Sequence, residues 1–170
     1  ADIWANVIWG DIGDPAQLAT SLETDYGVEL SSLLNVRTFL DHNRPWNAPA
    51  QSVESTVQSS GAYASKGQRL TNRDAQQSFV EHMQRWQPYL KQHGLLVIEL
   101  HTVNPAATAR NLGKTGATAY DATHGYSDQY ILEVDAYYDC IRRAGLERDE
   151  RLGKQFPDSE LATVTINLLK

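Results

Sequence analysis

The run Arg37-Thr38-Phe39-Leu40-Asp41-His42-Asn43-Arg44-Pro45-Trp46 places an acid, an imidazole and a guanidinium within four positions of each other, directly after a short apolar stretch. An imidazole titrates near neutrality, so His42 can take a proton from a substrate. A second candidate base, His124, stands in Asp121-Ala122-Thr123-His124-Gly125-Tyr126-Ser127-Asp128-Gln129-Tyr130, and a third imidazole, His101, closes the apolar run that starts at Leu95. The loops carrying His42 and His124 are expected to converge over the ends of the strands. A mere scaffold has no reason to gather Asp41, His42, Arg44, His101 and His124 at one sheet edge. Asp11 belongs with them, because turn chemistry and helix capping account for Gly13 and Asp14 but not for an acid directly off a strand end.

The elements that must position these groups follow from spacing. Phe79, Val80, Met83, Trp86 and Leu90 recur at helical intervals over residues 74–93, and Gly94 then stands as a C-cap before Leu95-Leu96-Val97-Ile98-Glu99-Leu100, which reads as a buried parallel strand. The carboxyl end of such a strand is where open α/β sheets keep their ligands. The same unit recurs at residues 14–37, where Asp14-Pro15 opens a helix, Gly27 closes it and Leu33-Leu34-Asn35-Val36-Arg37 forms a strand. Asn6-Val7-Ile8-Trp9 reads as a strand ahead of them. Ile131, Val134, Tyr138 and Ile141 mark a later helix, and residues 161–169 a half-buried strand, antiparallel at the sheet end. Residues 47–73 are rich in Ser, Gln, Ala and Gly and read as a flexible crossing that can serve as a lid. The expected fold is a single α/β domain over residues 1–170, a doubly wound and mostly parallel sheet with an antiparallel closing strand.

Composition narrows the classes. The chain has 170 residues, a net charge of −6 and 41% hydrophobic content, enough for one packed core. No Lys/Arg cluster offers a nucleic-acid surface, and the run Glu147-Arg148-Asp149-Glu150-Arg151 is mixed in sign and reads as a solvated connection. No apolar segment approaches the roughly 18 residues of a membrane span. The single Cys140 lies beside Ile141 on an apolar helical face and reads as a buried thiol, which fits a reducing, cytoplasmic setting. Glu81, His82 and His93 are expected to face solvent, while Tyr126 and Tyr130 are the tyrosines worth testing in a substrate pocket. The chain starts at Ala1, and its only Met is Met83, consistent with a piece of a longer protein.

Four segments together resemble the later part of class I S-adenosylmethionine-dependent methyltransferases, a Rossmann-like family. Val7-Ile8-Trp9-Gly10-Asp11-Ile12 is similar to its third strand and adenine-contacting turn. Residues 33–42 are similar to its fourth strand, whose end faces the methyl donor. Residues 89–99 are similar to its helix, Gly turn and fifth strand. Residues 137–146 are similar to its last helix. The phrases at residues 37–46 and 124–130 are similar to methyltransferase domains of polyketide synthases, including a subgroup that binds one redox-type metal ion.

The resemblance implies donor contacts at Asp11, Ile12, Asn35 and Arg37, a base at His42 or His124, and a small or carrier-tethered acyl acceptor. It also implies one iron or manganese ion on Asp41, His101 and Gln129, since a carboxylate, an imidazole and a neutral oxygen suit those metals. The family's glycine-rich turn after the first strand has no counterpart here, nor has the acid on its second strand that holds the ribose, so the first cofactor-binding strands are lacking. An unpaired central strand edge then invites self-association into a homo-oligomer. Two other readings stand beside the methyltransferase: a noncatalytic interaction module that has lost cofactor binding, and a metal-dependent hydrolase or oxygenase.

Overall fold

The computed structural model describes residues 5–117 and 124–170. The first helix, α1 (Pro15–Tyr26), starts as its caps dictate: the Asp14 carboxylate accepts from the Gln17 N–H at 3.0 Å, and Gly27 ends the helix in the left-handed region at φ 64°. Strand β1 (Asn35–Thr38) follows. A hairpin of β2 (Tyr63–Ser65) and β3 (Gln68–Leu70) turns at Lys66 and Gly67, both at positive φ, as a two-residue hairpin turn requires. Helix α2 (Asn72–Trp86) is capped by the Thr71 hydroxyl on the Asp74 N–H and gives way to a 3-10 turn at Gln87–Tyr89. It is shorter than its apolar periodicity predicts, because Pro88 has no N–H to continue the ladder. Strand β4 (Leu95–Leu100), helices α3 (Pro105–Arg110), α4 (His124–Ser127) and α5 (Val134–Arg143), and strands β5 (Lys154–Phe156) and β6 (Val164–Leu169) complete the order.

The sheet runs β1-β4-β6-β5, with β1 parallel to β4 and the other two pairings antiparallel. It is therefore a mixed sheet and not the mostly parallel one expected. Among the named strands of the described residues the β1-α2-β4 crossover makes the parallel pair, and after β4 the chain returns through α5 to a β5–β6 pair that enters in the opposite sense. β6 lies inside the sheet, between β4 and β5, rather than at its end. The antiparallel neighbour also changes the burial of β4: Leu95, Val97 and Glu99 are buried while Leu96, Ile98 and Leu100 are only half-buried. Phe79, Met83 and Trp86 of α2 pack with Tyr137, Cys140 and Ile141 of α5 in one core with Leu95, Val97 and Leu169.

Asn6-Val7-Ile8-Trp9 forms no strand; Val7 is fully exposed and Trp9 is 77% exposed. The run has strand composition but no neighbouring strand to pair with, and β-propensity alone does not hold a strand. β1 pairs only with β4 among the described residues, and its Val36 is 56% exposed. Residues 47–62 are tied to the helices: the Ala50 N–H donates to Glu81, Ser52 to Asp74, Ser55 to Asp139, and the Ser59 N–H to Gln76. No helix among the described residues is long and apolar enough to cross a membrane.

Gly94 sits at φ 84°, and a Cβ there would run into the Leu169 carbonyl oxygen of β6. Gly94→Ala is expected to destabilise the domain by more than about 2 kcal/mol, because both the left-handed backbone and the close strand approach exclude a side chain. A thermal melt indistinguishable from that of the parent would contradict the β4–β6 register.

Candidate active site

The strand ends bring two buried clusters together. After β1, the backbone turns at Phe39, which has φ 55° and donates its N–H to the Ile98 carbonyl at 2.8 Å. The 3-10 turn Asp41–Asn43 follows and drives the side chains of Asp41 and His42 inward. Glu99, near the end of β4, points to the same side. Its Oε1 lies 2.5 Å from His42 Nδ1 and accepts the Leu100 N–H at 2.7 Å, while Oε2 accepts the Asp41 N–H at 3.0 Å. A carboxylate only accepts, so Nδ1 donates, and in the neutral ring Nε2 carries the lone pair. Such a pair can act chemically as an oriented base, because the carboxylate fixes the tautomer and can stabilise an imidazolium.

Beside the His42–Glu99 pair lies an ion cluster. Arg37 Nη1 is 2.5 Å from Asp41 Oδ1, and His82 Nε2 of α2 is 2.9 Å from the same oxygen. The Arg37 guanidinium stacks over Trp86 at 4.4 Å, and Arg44 donates to the Asp41 and Ala75 carbonyls while lying over Phe79 and Tyr130. Burial pushes the Asp41 carboxyl up, but Arg37, the hydrogen bond from His82 and Arg44 together outweigh it and hold the group at about 2. His82 is 1% exposed, against the expectation that it faces solvent. The helical periodicity placed it on the polar side of α2, but that side is covered by β1 and its buried ion pair. His93 is exposed, as expected.

His101 is fully buried, with Nδ1 at 3.1 Å from the Leu132 carbonyl and Nε2 at 2.7 Å from Thr165 Oγ1. Both ring nitrogens are committed inside the fold, Asp41 is committed to Arg37 and His82, and Gln129 donates to Asn43 Oδ1 at 2.9 Å. The described residues contain no group of three or more His, Cys, Asp or Glu side chains placed to hold a metal ion. The geometry thus gives no support to the iron or manganese ion expected on Asp41, His101 and Gln129.

Burial pushes His101 down from 6.5 to about 4, against the opposing pull of the Leu132 carbonyl. Burial likewise lowers His82 to about 4, with Asp41 pulling the other way. Both rings are neutral in the folded protein, and the unfolded chain binds more protons between these values and the ordinary 6.5 of histidine. Their contribution to stability is complete above about pH 6.5 and is lost as the pH falls toward 4. The His101 shift is worth on the order of 3 kcal/mol. Urea unfolding at about pH 7 and at about pH 4.5 should therefore show the lower free energy in acid; equal values would mean that the imidazoles are not buried in neutral form.

The expected donor contacts are engaged within the fold. Asp11 Oδ1 accepts the Gly13 N–H at 2.7 Å, the Ile12 carbonyl accepts from Trp86 Nε1 at 2.7 Å, and Asn35 Nδ2 lies 3.5 Å from the Tyr89 carbonyl. Arg37 is buried in the ion cluster. Ile12 and Arg37 meet at Trp86, the one through its carbonyl and the other through its guanidinium. The second candidate base, the His124 side chain, lies outside the described residues. Tyr126 is 92% exposed and Tyr130 is buried against Trp46, at 5.3 Å between ring centroids. Burial pushes the Cys140 thiol up to about 12, as suits an inert core thiol.

A cleft of about 630 Å³ lies between the β2–β3 hairpin and the residues that follow His42; Asn43, Trp46, Lys66, Leu70, Asp128 and Tyr130 line it, and His42 itself does not. Glu99 and His82 are the site residues that the sequence reading missed. An acid inside the apolar strand Leu95–Leu100 was the available signal for Glu99.

A family model described as AprA MT2-like domain matches residues 1–167. The chain belongs to this family. It is a methyltransferase domain related to the methyltransferases of polyketide synthases. No curated protein matches it. The methyltransferase domain carries its His42–Glu99 pair at the carboxyl ends of β1 and β4, which run parallel.

Proposed function

We propose that this methyltransferase domain methylates a carbon or oxygen atom of a small or carrier-tethered acyl acceptor, with His42 as the base and Glu99 as its positioning partner. The observation that carries the reading is the buried His42–Glu99 pair at 2.5 Å, whose chain neighbours Asn43 and Arg44 line a cleft of mixed polar and apolar walls. S-adenosylmethionine is the donor the reading requires: a sulfonium brings its own leaving group, so the residues of this chain are left with the proton. His42 Nε2 takes it from the acceptor's C–H or O–H, and the electron pair stays on the acceptor atom. Glu99 holds the resulting imidazolium by a charge-assisted hydrogen bond at Nδ1. No step is assigned to Asp11, Ile12, Asn35 or Arg37, whose polar groups are engaged elsewhere.

One observation favours a noncatalytic interaction module: Leu34 and Val36, at and beside β1, and Val7 and Trp9 of the segment before α1 stand exposed. In that reading the chain self-associates through β1 and transfers nothing. Incubation with S-adenosylmethionine carrying a labelled methyl group and a panel of free and carrier-bound acyl thioesters separates the two. Label in the acyl chain is the expected result. A folded protein that labels no acceptor and sediments as an oligomer would establish the module instead.

A further inference from the structure

The nitrogen with which His42 would act does not stand open to the cleft. Asn43 Nδ2 lies 2.9 Å from His42 Nε2, and Asn43 Oδ1 accepts from Gln129 Nε2 at 2.9 Å. Since Nδ1–H is spent on Glu99, Nε2 is the acceptor and the Asn43 amide donates into its lone pair. The same Nδ2 donates to the Phe39 carbonyl at 3.2 Å, so the strand-end turn at φ 55° and Gln129 hold the carboxamide from two sides. An amide N–H is far too weak an acid to give up its proton to imidazole. It fills the place of the proton to be abstracted without being abstracted.

We propose that the Asn43 carboxamide, anchored by Gln129, is a displaceable cap on the base, and that an acceptor gains access to His42 only by taking its place. This inference rests on the base role of His42 and adds a condition on the acceptor. Asn43 presents a donor to Nε2 and, beside it, an acceptor oxygen to Gln129. A molecule that replaces it without loss of hydrogen bonds needs the same two features next to each other: an acidic C–H or O–H, and an adjacent carbonyl oxygen to receive the Gln129 N–H. An acceptor without the carbonyl leaves the Gln129 N–H without the partner that Asn43 gave it.

The cap is wired to the far wall of the cleft. Asp128, next to Gln129 and at φ 51°, accepts the Lys66 N–H at 3.0 Å from the tip of the β2–β3 hairpin. Asn43, Lys66 and Asp128 all line the same 630 Å³ cleft. Entry of an acyl chain between hairpin and cap therefore meets both halves of one hydrogen-bonded rim.

The test uses diethyl pyrocarbonate, which acylates unprotonated imidazole nitrogens, and follows His42 and the exposed His93 by peptide mass mapping in the intact chain. In the parent protein His42 should react slowly relative to His93. Asn43→Ala is expected to speed modification of His42 by about 10-fold, the equivalent of about 1.4 kcal/mol, with His93 unchanged. Gln129→Ala, which leaves Asn43 in place but removes its anchor, should give a smaller increase and keeps the test valid if Asn43→Ala fails to fold. Unchanged His42 rates in both folded variants would overturn the cap. The reading needs no methyl transfer: if His42 variants abolish labelling while these rates stay flat, the base stands and the cap falls. If the rates rise but no acceptor is ever labelled, the cap stands and the methylation reading falls.

Discussion

Replacing His42 with glutamine is expected to lower methyl transfer by about 10²–10⁴-fold, the range that a positioned general base contributes. Glutamine keeps a side-chain N–H that can reach Glu99 but has no basic nitrogen, so the substitution isolates the proton-taking step. The backbone of His42 has its own role, since its carbonyl accepts the Tyr130 N–H at 2.8 Å, and that bond survives any side-chain change. The loss should therefore fall on kcat, with KM for the acyl acceptor little affected. Glu99→Gln should cost roughly 10²-fold or more, because the carboxamide has one oxygen where Asp41, His42 and Leu100 now share two, and has no charge to offer an imidazolium. Labelled-methyl incorporation with both variants checks the pair. Activity within about twofold of the parent in His42→Gln would remove His42 from the chemistry.

A second large effect is expected in stability. Asp41→Ala should cost about 3–5 kcal/mol, since Arg37, Asp41 and His82 are 5%, 2% and 1% exposed and the carboxylate is what compensates the buried guanidinium. Nε and Nη2 of Arg37 have no hydrogen-bond partner among the described residues, so the Trp86 face and neutral His82 are left to hold the guanidinium with no counter-charge. Replacing both charged members with apolar groups of similar size, as in Arg37→Met with Asp41→Leu, should cost less than Asp41→Ala alone, because the double variant leaves no uncompensated charge. Urea unfolding of the three proteins tests this. A cost below about 1 kcal/mol for Asp41→Ala would mean that water reaches Arg37. The cluster also bears on the base: the Asp41 N–H is one of the donors that fix Glu99, so a shifted turn should reduce activity as well as stability.

What sequence alone determined lies within a few residues of its own signal. Asp14 and Gly27 bracket α1 because a cap is a contact over one helical turn, and Gly94 announces β4 because a left-handed backbone excludes a side chain wherever it occurs. The Asp41-His42-Asn43-Arg44 run stood out as a candidate site because the residue types stand next to one another, and the order of its flanking elements was enough to suggest a methyltransferase. Tertiary structure alone decided the rest. Glu99 is 57 positions from His42 and His82 is 41 from Asp41, so neither partner follows from local spacing. Periodicity placed His82 on a polar helix face, but only the packing of β1 under α2 turned that face into the lid of an ion pair. Asn6-Val7-Ile8-Trp9 had the composition of a strand and became none, and β6 took an inner position rather than the edge. A strand exists only where a neighbour satisfies its backbone, and that neighbour is chosen by long-range contacts which no local pattern encodes.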